Sequence, residues 1–186
     1  MRKIIAFLMA STDGYYEGPD RAFDWPVIDD DFNEFAVAQL DEANTLLFGR
    51  ATYADMAAYW PSADAAQDDS GVTVRMNGTP KIVVSRTLTT ADWPVTTVIS
   101  GNAVTELAAL KQQPGRGILL LGSSALAASL LPSGLIDELR IMVSPVVLGG
   151  GKSLLHTAEK RTSLELLSAR PFRSGNVLLT YRPLPG

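Results

Sequence analysis

The feature that most constrains this chain is a series of short, uninterrupted apolar runs separated by segments of helical periodicity. A strand that is apolar on both faces has to be covered on both faces, and helices lying between successive strands supply that cover. The runs are Ile4–Ala10, Thr45–Phe48, Lys81–Ser85, Val95–Ile99 and Ile118–Leu121. Between them, Phe32, Phe35, Ala36, Leu40 and Ala43 share one helical face. Asn102 caps a second helix that carries Val104, Leu107 and Ala108 and stops before Pro114-Gly115. The chain therefore reads as α/β with a mainly parallel sheet. In the last third the pattern changes: Glu138–Ser144, Leu164–Arg170 and Val177–Arg182 alternate like strands, the last two flanking the turn Arg173-Ser174-Gly175-Asn176. The sheet is expected to be mixed, ending in C-terminal antiparallel strands, with residues 183–186 as a loose tail.

Composition narrows the class. At 186 residues, 46% of them hydrophobic, the chain fits one domain spanning residues 1–186 with one substantial core. A net charge of −4 without a long run of like charges argues against nucleic acid as the main partner. Zero cysteines exclude a disulfide framework, a thiolate nucleophile and a cysteine-held metal, and fit a reducing compartment. The apolar stretch Ile118–Leu131 is too short to span a membrane and is broken by Gly122, Ser123 and Ser124. Arg2-Lys3 before Ile4–Ala10 has the outline of a secretory signal, but Asp13, Glu17 and Asp20 follow where a small-residue cleavage site belongs. The segment reads as a buried first strand of a cytoplasmic protein.

In open α/β sheets ligands bind beyond the carboxyl ends of the strands. Three junctions converge there. Leu47-Phe48 runs into Gly49-Arg50-Ala51-Thr52, Leu121 into Gly122-Ser123-Ser124, and Val84 into Ser85-Arg86-Thr87. Glycines opening helices, free backbone N–H groups and two guanidiniums together suit a ligand with several phosphates. Gly149-Gly150-Gly151-Lys152-Ser153 is not a P-loop, because Val146 holds the leading glycine position, and it reads as a flexible turn. His156, the single histidine, reads as a surface residue without a role. Asp31-Phe32-Asn33-Glu34 reads as a capping box, and Asp31 and Phe35, one turn apart, would project together into a cleft beside the first strand. In an apolar cleft the Asp31 carboxyl would be pushed up in pKa and could serve in orientation or proton transfer.

These segments resemble the dihydrofolate reductase superfamily, most closely stand-alone proteins similar to the reductase domain of the bacterial bifunctional riboflavin-biosynthesis deaminase-reductase. The resemblance is carried by Met9-Ala10-Ser11-Thr12-Asp13-Gly14, Phe23-Asp24-Trp25, Leu47–Tyr53, Lys81–Leu88, and Gly134–Leu139 running on to Pro145–Gly151, in the family's order along nearly the whole chain. A looser match is Val72-Thr73-Val74-Arg75, which reads equally as a surface helix.

The resemblance implies a three-layer α/β/α dihydrofolate reductase-like fold that binds NADPH. By that likeness Gly49, Arg50 and Thr52 lie near the adenosine and pyrophosphate, Ser85, Arg86 and Thr87 near the ribose 2′-phosphate, and Gly122, Ser123, Ser124 and Leu126 under the pyrophosphate. Asp31, with Asp30 as competitor, takes the place of the acidic residue that holds a pteridine ring. Phe35 is the ring-packing aromatic, and Asp13 and Trp25 border the substrate. The implied activity is NADPH-dependent reduction of a pyrimidine or pteridine, most like 5-amino-6-(5-phosphoribosylamino)uracil reductase. Dihydrofolate reductase-type activity and non-catalytic NADPH or pterin binding are the alternatives. Two departures stand out: Ser123 replaces the second glycine of the folate-type turn, and Ala125 an arginine that often follows it. Members of the branch are often homodimers, and exposed antiparallel edge strands would supply the interface.

Overall fold

The computed structural model describes residues 1–68 and 70–184. The order of elements is β1 (Ile4–Ser11), β2 (Tyr15–Glu17), α1 (Asp30–Asp41), β3 (Ala43–Gly49), α2 (Arg50–Tyr59), α3 (Ala63–Asp68), α4 (Ser70–Gly78), β4 (Lys81–Val84), β5 (Thr96–Ile99), α5 (Ala103–Gln112), β6 (Gly117–Leu121), α6 (Ser124–Leu130), β7 (Glu138–Ser144), β8 (Lys152–Ser153), β9 (Leu164–Pro171) and β10 (Val177–Pro183). Eight strands form one sheet in the order β5-β4-β3-β6-β1-β7-β10-β9, while β2 and β8 pair separately.

The central strands are apolar throughout because each alternate side chain enters a different core. Ile5 and Phe7 of β1, Leu46 and Phe48 of β3, and Leu119 and Leu121 of β6 pack under α1, α2 and α4. Ile4, Ala6 and Leu8, with Leu47, Ile118 and Leu120, pack under α5 and α6 on the other face. This is the expected α/β/α sandwich, and the period-two alternation of its strands builds it. Val72 and Met76 of α4 are buried while Val74 is exposed, so the helix at Val72–Arg75 presents one face to the core.

Two local readings are corrected. Strand β7 runs parallel to β1, pairing Ile5 with Glu138 through Ser11 with Ser144, so Glu138–Ser144 extends the parallel sheet. The expected C-terminal antiparallel strands are β9 and β10, with β10 antiparallel to both β7 and β9. At α1 the cap is Asp29, whose carboxylate accepts from the Phe32 N–H at 2.9 Å, so Asp31 is inside the first turn and the Asp31–Glu34 capping box does not form. Pro183 belongs to β10, and Pro185 and Gly186 of the expected tail lie outside the described residues.

The end of the sheet away from the strand carboxyl ends is tied by buried charge. Lys111 donates to the Leu135 carbonyl at 2.7 Å and to Asp137, which also accepts from the Ile4 N–H at 2.7 Å. Arg140 links Glu138 and Glu42, each at 2.7 Å. Among the described residues, no helix is long and apolar enough to cross a membrane.

Candidate cofactor cleft and substrate side

Strands β4, β3 and β6 are parallel neighbours, so the turns at Ser85, Gly49 and Gly122 reach the same edge. Between the last two lies a cleft of about 360 Å³. Gly49, Arg50 and Thr52 line it from β3 and α2, and Gly122, Ser123, Ser124 and Leu126 from the turn after β6. Gly122 takes a φ of +61°, a conformation that glycine adopts without strain. No side chain caps α2, so the N–H groups of its first turn are left to solvent or ligand.

The two serines are engaged in hydrogen bonds within the chain. The Gly49 N–H donates to Ser123 Oγ at 2.9 Å, and Ser123 donates on to the Leu121 carbonyl at 3.2 Å. Ser124 Oγ accepts from the Leu155 N–H at 2.8 Å. Both side chains are largely buried while their residues line the cleft, so these hydrogen bonds hold the shape of the turns. Ser85, Arg86 and Thr87 are not part of the cleft lining. Ser85 Oγ accepts from the Thr87 and Leu88 N–H groups at 3.2 and 2.9 Å, which builds a turn that leaves Arg86 exposed at the end of β4.

The opposite wall escaped sequence reasoning. It consists of Tyr16, Glu17 and Arg21 with Lys152, facing Asp55 on α2. Lys152 pairs with Glu17 at 2.6 Å, and Arg21 pairs with Asp55 at 3.0 Å. The hydrogen bond to Glu17 raises the Lys152 ammonium above the usual lysine range, and burial raises the Tyr16 phenol. This wall exists because β2 and β8 pair, Tyr15 with Ser153 and Glu17 with Lys152. Gly151 makes the approach possible, since a Cβ there would land on the Glu17 carbonyl oxygen. The Gly149–Ser153 run is thus a tight turn delivering a cation, and its signal was the lysine following the glycines. His156 is exposed and stacks on Tyr16 with centroids 5.7 Å apart.

Asp13 secures that turn. Its carboxylate accepts from Ser11 Oγ at 2.7 Å and from the Leu148 and Gly149 N–H groups at 3.1 and 2.8 Å, which hold its pKa down at about 2, the Ser11 bond foremost. Its geometry is that of a loop clamp.

Of the residues expected to border the substrate, Phe35 is buried in an aromatic cluster with Phe7, Phe32 and Phe172. Asp31 lies at the rim, where Arg173 grips both carboxylate oxygens at 2.8 and 2.6 Å. The expected upward shift is therefore reversed: the Arg173 hydrogen bonds hold the Asp31 carboxyl below the ordinary aspartate value. Asp30, one residue earlier, is exposed. Trp25 packs edge-on against Phe23, and its indole N–H is buried without a partner among the described residues.

An α/β/α sandwich with a charged cleft between two strand–glycine–helix turns defines the class: a dihydrofolate reductase-like fold. The family follows from sequence. Residues 2–178 match the RibD C-terminal domain, and the chain belongs to that family. It is 32% identical over 182 residues, 97% of this chain and 94% of the relative, to the uncharacterized protein YyaP of Bacillus subtilis strain 168. Among solved structures it is similar to a candidate riboflavin biosynthesis protein from Shewanella sp. PV-4, with 24% identity, TM-score 0.75, and 98% and 99% of the two chains covered. The bifunctional diaminohydroxyphosphoribosylaminopyrimidine deaminase/5-amino-6-(5-phosphoribosylamino)uracil reductase of Thermotoga maritima superposes with TM-score 0.71 at 14% identity, over 98% of this chain and 57% of that one. Dihydrofolate reductase from Enterococcus faecalis, complexed with NADP(H), gives TM-score 0.63 at 16% identity, with 97% and 96% covered.

The cleft's donor set fits such a dinucleotide. Arg50 offers a guanidinium and the uncapped start of α2 offers N–H groups, while Arg21 and Lys152 stand paired with Asp55 and Glu17, around a concavity in the size range of small-molecule sites.

Proposed function

We propose that this domain is an NADPH-dependent oxidoreductase that reduces a pyrimidine-type substrate, most like 5-amino-6-(5-phosphoribosylamino)uracil reductase. The observation that carries this reading is the cleft between Gly49 and Gly122, lined by Arg50 and the uncapped start of α2, in a member of the RibD C-terminal domain family. NADPH, when bound, supplies the hydride; the chain supplies placement. Arg50 and the first-turn N–H groups of α2 receive the diphosphate. Arg86, exposed on the turn held by Ser85 after the neighbouring strand β4, selects the 2′-phosphate.

In this reading the acceptor ring lies towards Asp31, Phe35 and Trp25, the residues that the family likeness puts on the substrate side. Ionised Asp31 orients polar N–H groups of the ring, and Phe35 backs its flat face. With Arg173 on its carboxylate, Asp31 holds no proton at neutral pH, so it orients the ring and does not act as the acid.

The same reading gives a homodimer in the cytoplasm, with a small molecule as its other partner. Strand β9 closes one end of the sheet with all eight of its residues exposed, Leu166 at 55% and Leu167 at 41%. An apolar edge strand of this kind invites pairing, and a second copy can pair with it about a two-fold axis.

The test is a fluorescence titration with NADPH and NADH, repeated for Arg50→Ala and Arg86→Ala, followed by NADPH oxidation with the riboflavin-pathway pyrimidine and with dihydrofolate. The reading expects NADPH preference, loss of affinity for both nucleotides in Arg50→Ala, and loss of preference in Arg86→Ala. Binding of neither nucleotide would overturn it. Binding without turnover on either substrate would leave a nucleotide-binding protein.

A further inference from the structure

We propose that Arg21 is a diphosphate-binding residue and that Asp55 is its placeholder, a carboxylate that occupies the guanidinium until the anion displaces it. The inference rests on the cofactor cleft described above and names two of its residues that the family resemblance did not supply.

Arg21 projects from the turn Pro19–Arg21, none of whose residues is buried. Its terminal nitrogen crosses to Asp55 on α2 at 3.0 Å, with both side chains more than half exposed. Its Nε stands 4.0 Å from Glu17, whose other oxygen is taken by Lys152 at 2.6 Å. All four charged groups line the same cleft. Glu17 therefore anchors Lys152, and Arg21 is held mainly by the partner across the opening.

The backbone points the same way. Asp20 and Arg21 both adopt left-handed conformations, with φ of 55° and 63°, and neither is glycine. Two consecutive residues of this kind are strained, and such strain concentrates at ligand clamps. Within the turn, the Ala22 N–H donates to the Pro19 carbonyl at 3.0 Å and the Gly18 N–H to the Ala22 carbonyl at 2.9 Å, so its shape is set locally while Arg21 reaches outward.

Exchange of partners is favourable on charge alone. An exposed guanidinium–carboxylate contact is weak in water, whereas a guanidinium–phosphate contact is charge-assisted and can be bidentate. Asp55 cannot share the same N–H groups with a phosphate, and as an anion in the cleft wall it also repels one. Asp55 thus lowers affinity by competing for Arg21, which reverses the effect expected of a lining residue that merely supports the site.

The experiment is a double-mutant cycle on the full chain with Arg21→Gln, Asp55→Asn and the pair, titrated by fluorescence with NADPH and, separately, by calorimetry with inorganic pyrophosphate. Arg21→Gln is expected to weaken binding about tenfold and Asp55→Asn to tighten it about threefold. In the Arg21→Gln background the Asp55→Asn gain should be largely lost, because there is no guanidinium left to release. Weaker binding in Asp55→Asn, or an equal gain with and without Arg21, would overturn the placeholder role. If wild type binds pyrophosphate through Arg21 but not NADPH, the cofactor reading fails and this inference stands. If it binds neither anion, both fall.

Discussion

The N–H of Gly49 and the hydroxyl of Ser123 meet at 2.9 Å, joining the turn after β3 to the turn after β6. This hydrogen bond braces the two turns, with Ser123 passing its own proton to the Leu121 carbonyl and a longer contact from the Thr52 hydroxyl to the Gly122 carbonyl at 3.4 Å beside it. Ser123→Ala takes the acceptor from the part-buried Gly49 N–H and should cost about 0.5–1.5 kcal/mol of stability in urea unfolding. NADPH affinity should fall with it, since the spacing of the turns loosens. Full affinity in a destabilised variant would mean the brace supports the fold and not the cleft.

Asp31 and Arg173 give a second prediction, on pH. The Arg173 hydrogen bonds keep the Asp31 carboxyl below the ordinary 3.8, so the folded state binds this proton less readily than the unfolded chain does. The stability gained from the pair is present above pH 3.8 and is lost as pH falls through the lower folded value. Arg173→Ala should move the Asp31 carbon resonance to titrate at higher pH, and any acid limb in the activity profile should move with it. An unmoved titration would show that other groups set the charge of Asp31.

The sequence displays the sandwich because each inner strand has to feed two cores: Ile4 and Ile5, or Leu119 and Leu120, are apolar neighbours facing opposite layers. The same logic exposes Gly49 and Gly122, where a buried strand stops at a glycine and a helix begins. Strands β2 and β8 carry no such signal, being only three and two residues long and joined across most of the chain. Arg21 and Lys152 are therefore invisible as a pair until Gly151 lets the two segments close. Asp31 was found in the right helix, but its partner lies in the β9–β10 turn. A carboxylate read without that guanidinium acquires a pKa shift of the wrong sign. The direction of β7 was hidden for a related reason, since alternation reports which faces are buried and not which way a strand runs.

The exposed edge at β9 predicts assembly. Leu166, opposite Tyr181 beside a register shift in the β9–β10 ladder, is left more than half exposed. Leu166→Glu should convert a dimer to a monomer by light scattering at micromolar concentration while leaving the thermal midpoint of the monomer nearly unchanged, because the substituted side chain is already solvent-exposed. A wild-type protein that is monomeric in that measurement would remove the dimer from the proposal.

Lys81 carries the last prediction, and its sign is unusual for a lysine with several partners. Its side chain is 1% exposed and donates to the carbonyls of Asn77, Thr79 and Pro94 at 2.9, 2.8 and 3.3 Å, with the ammonium 4.5 Å from the centre of the Trp93 ring. No carboxylate is among these contacts, so burial dominates and draws the ammonium from 10.5 down to about 8. Between those values the folded protein has released a proton that the unfolded chain still holds. Stability attributable to this group must then rise with pH across the interval, by at most about 1.4 kcal/mol per unit. Lys81→Met removes the titration. The stability of wild type relative to Lys81→Met should therefore climb from pH 8 towards pH 10 in paired urea unfolding experiments. A difference that stays flat would mean that the three carbonyls and the indole fully replace the water that Lys81 gave up on folding.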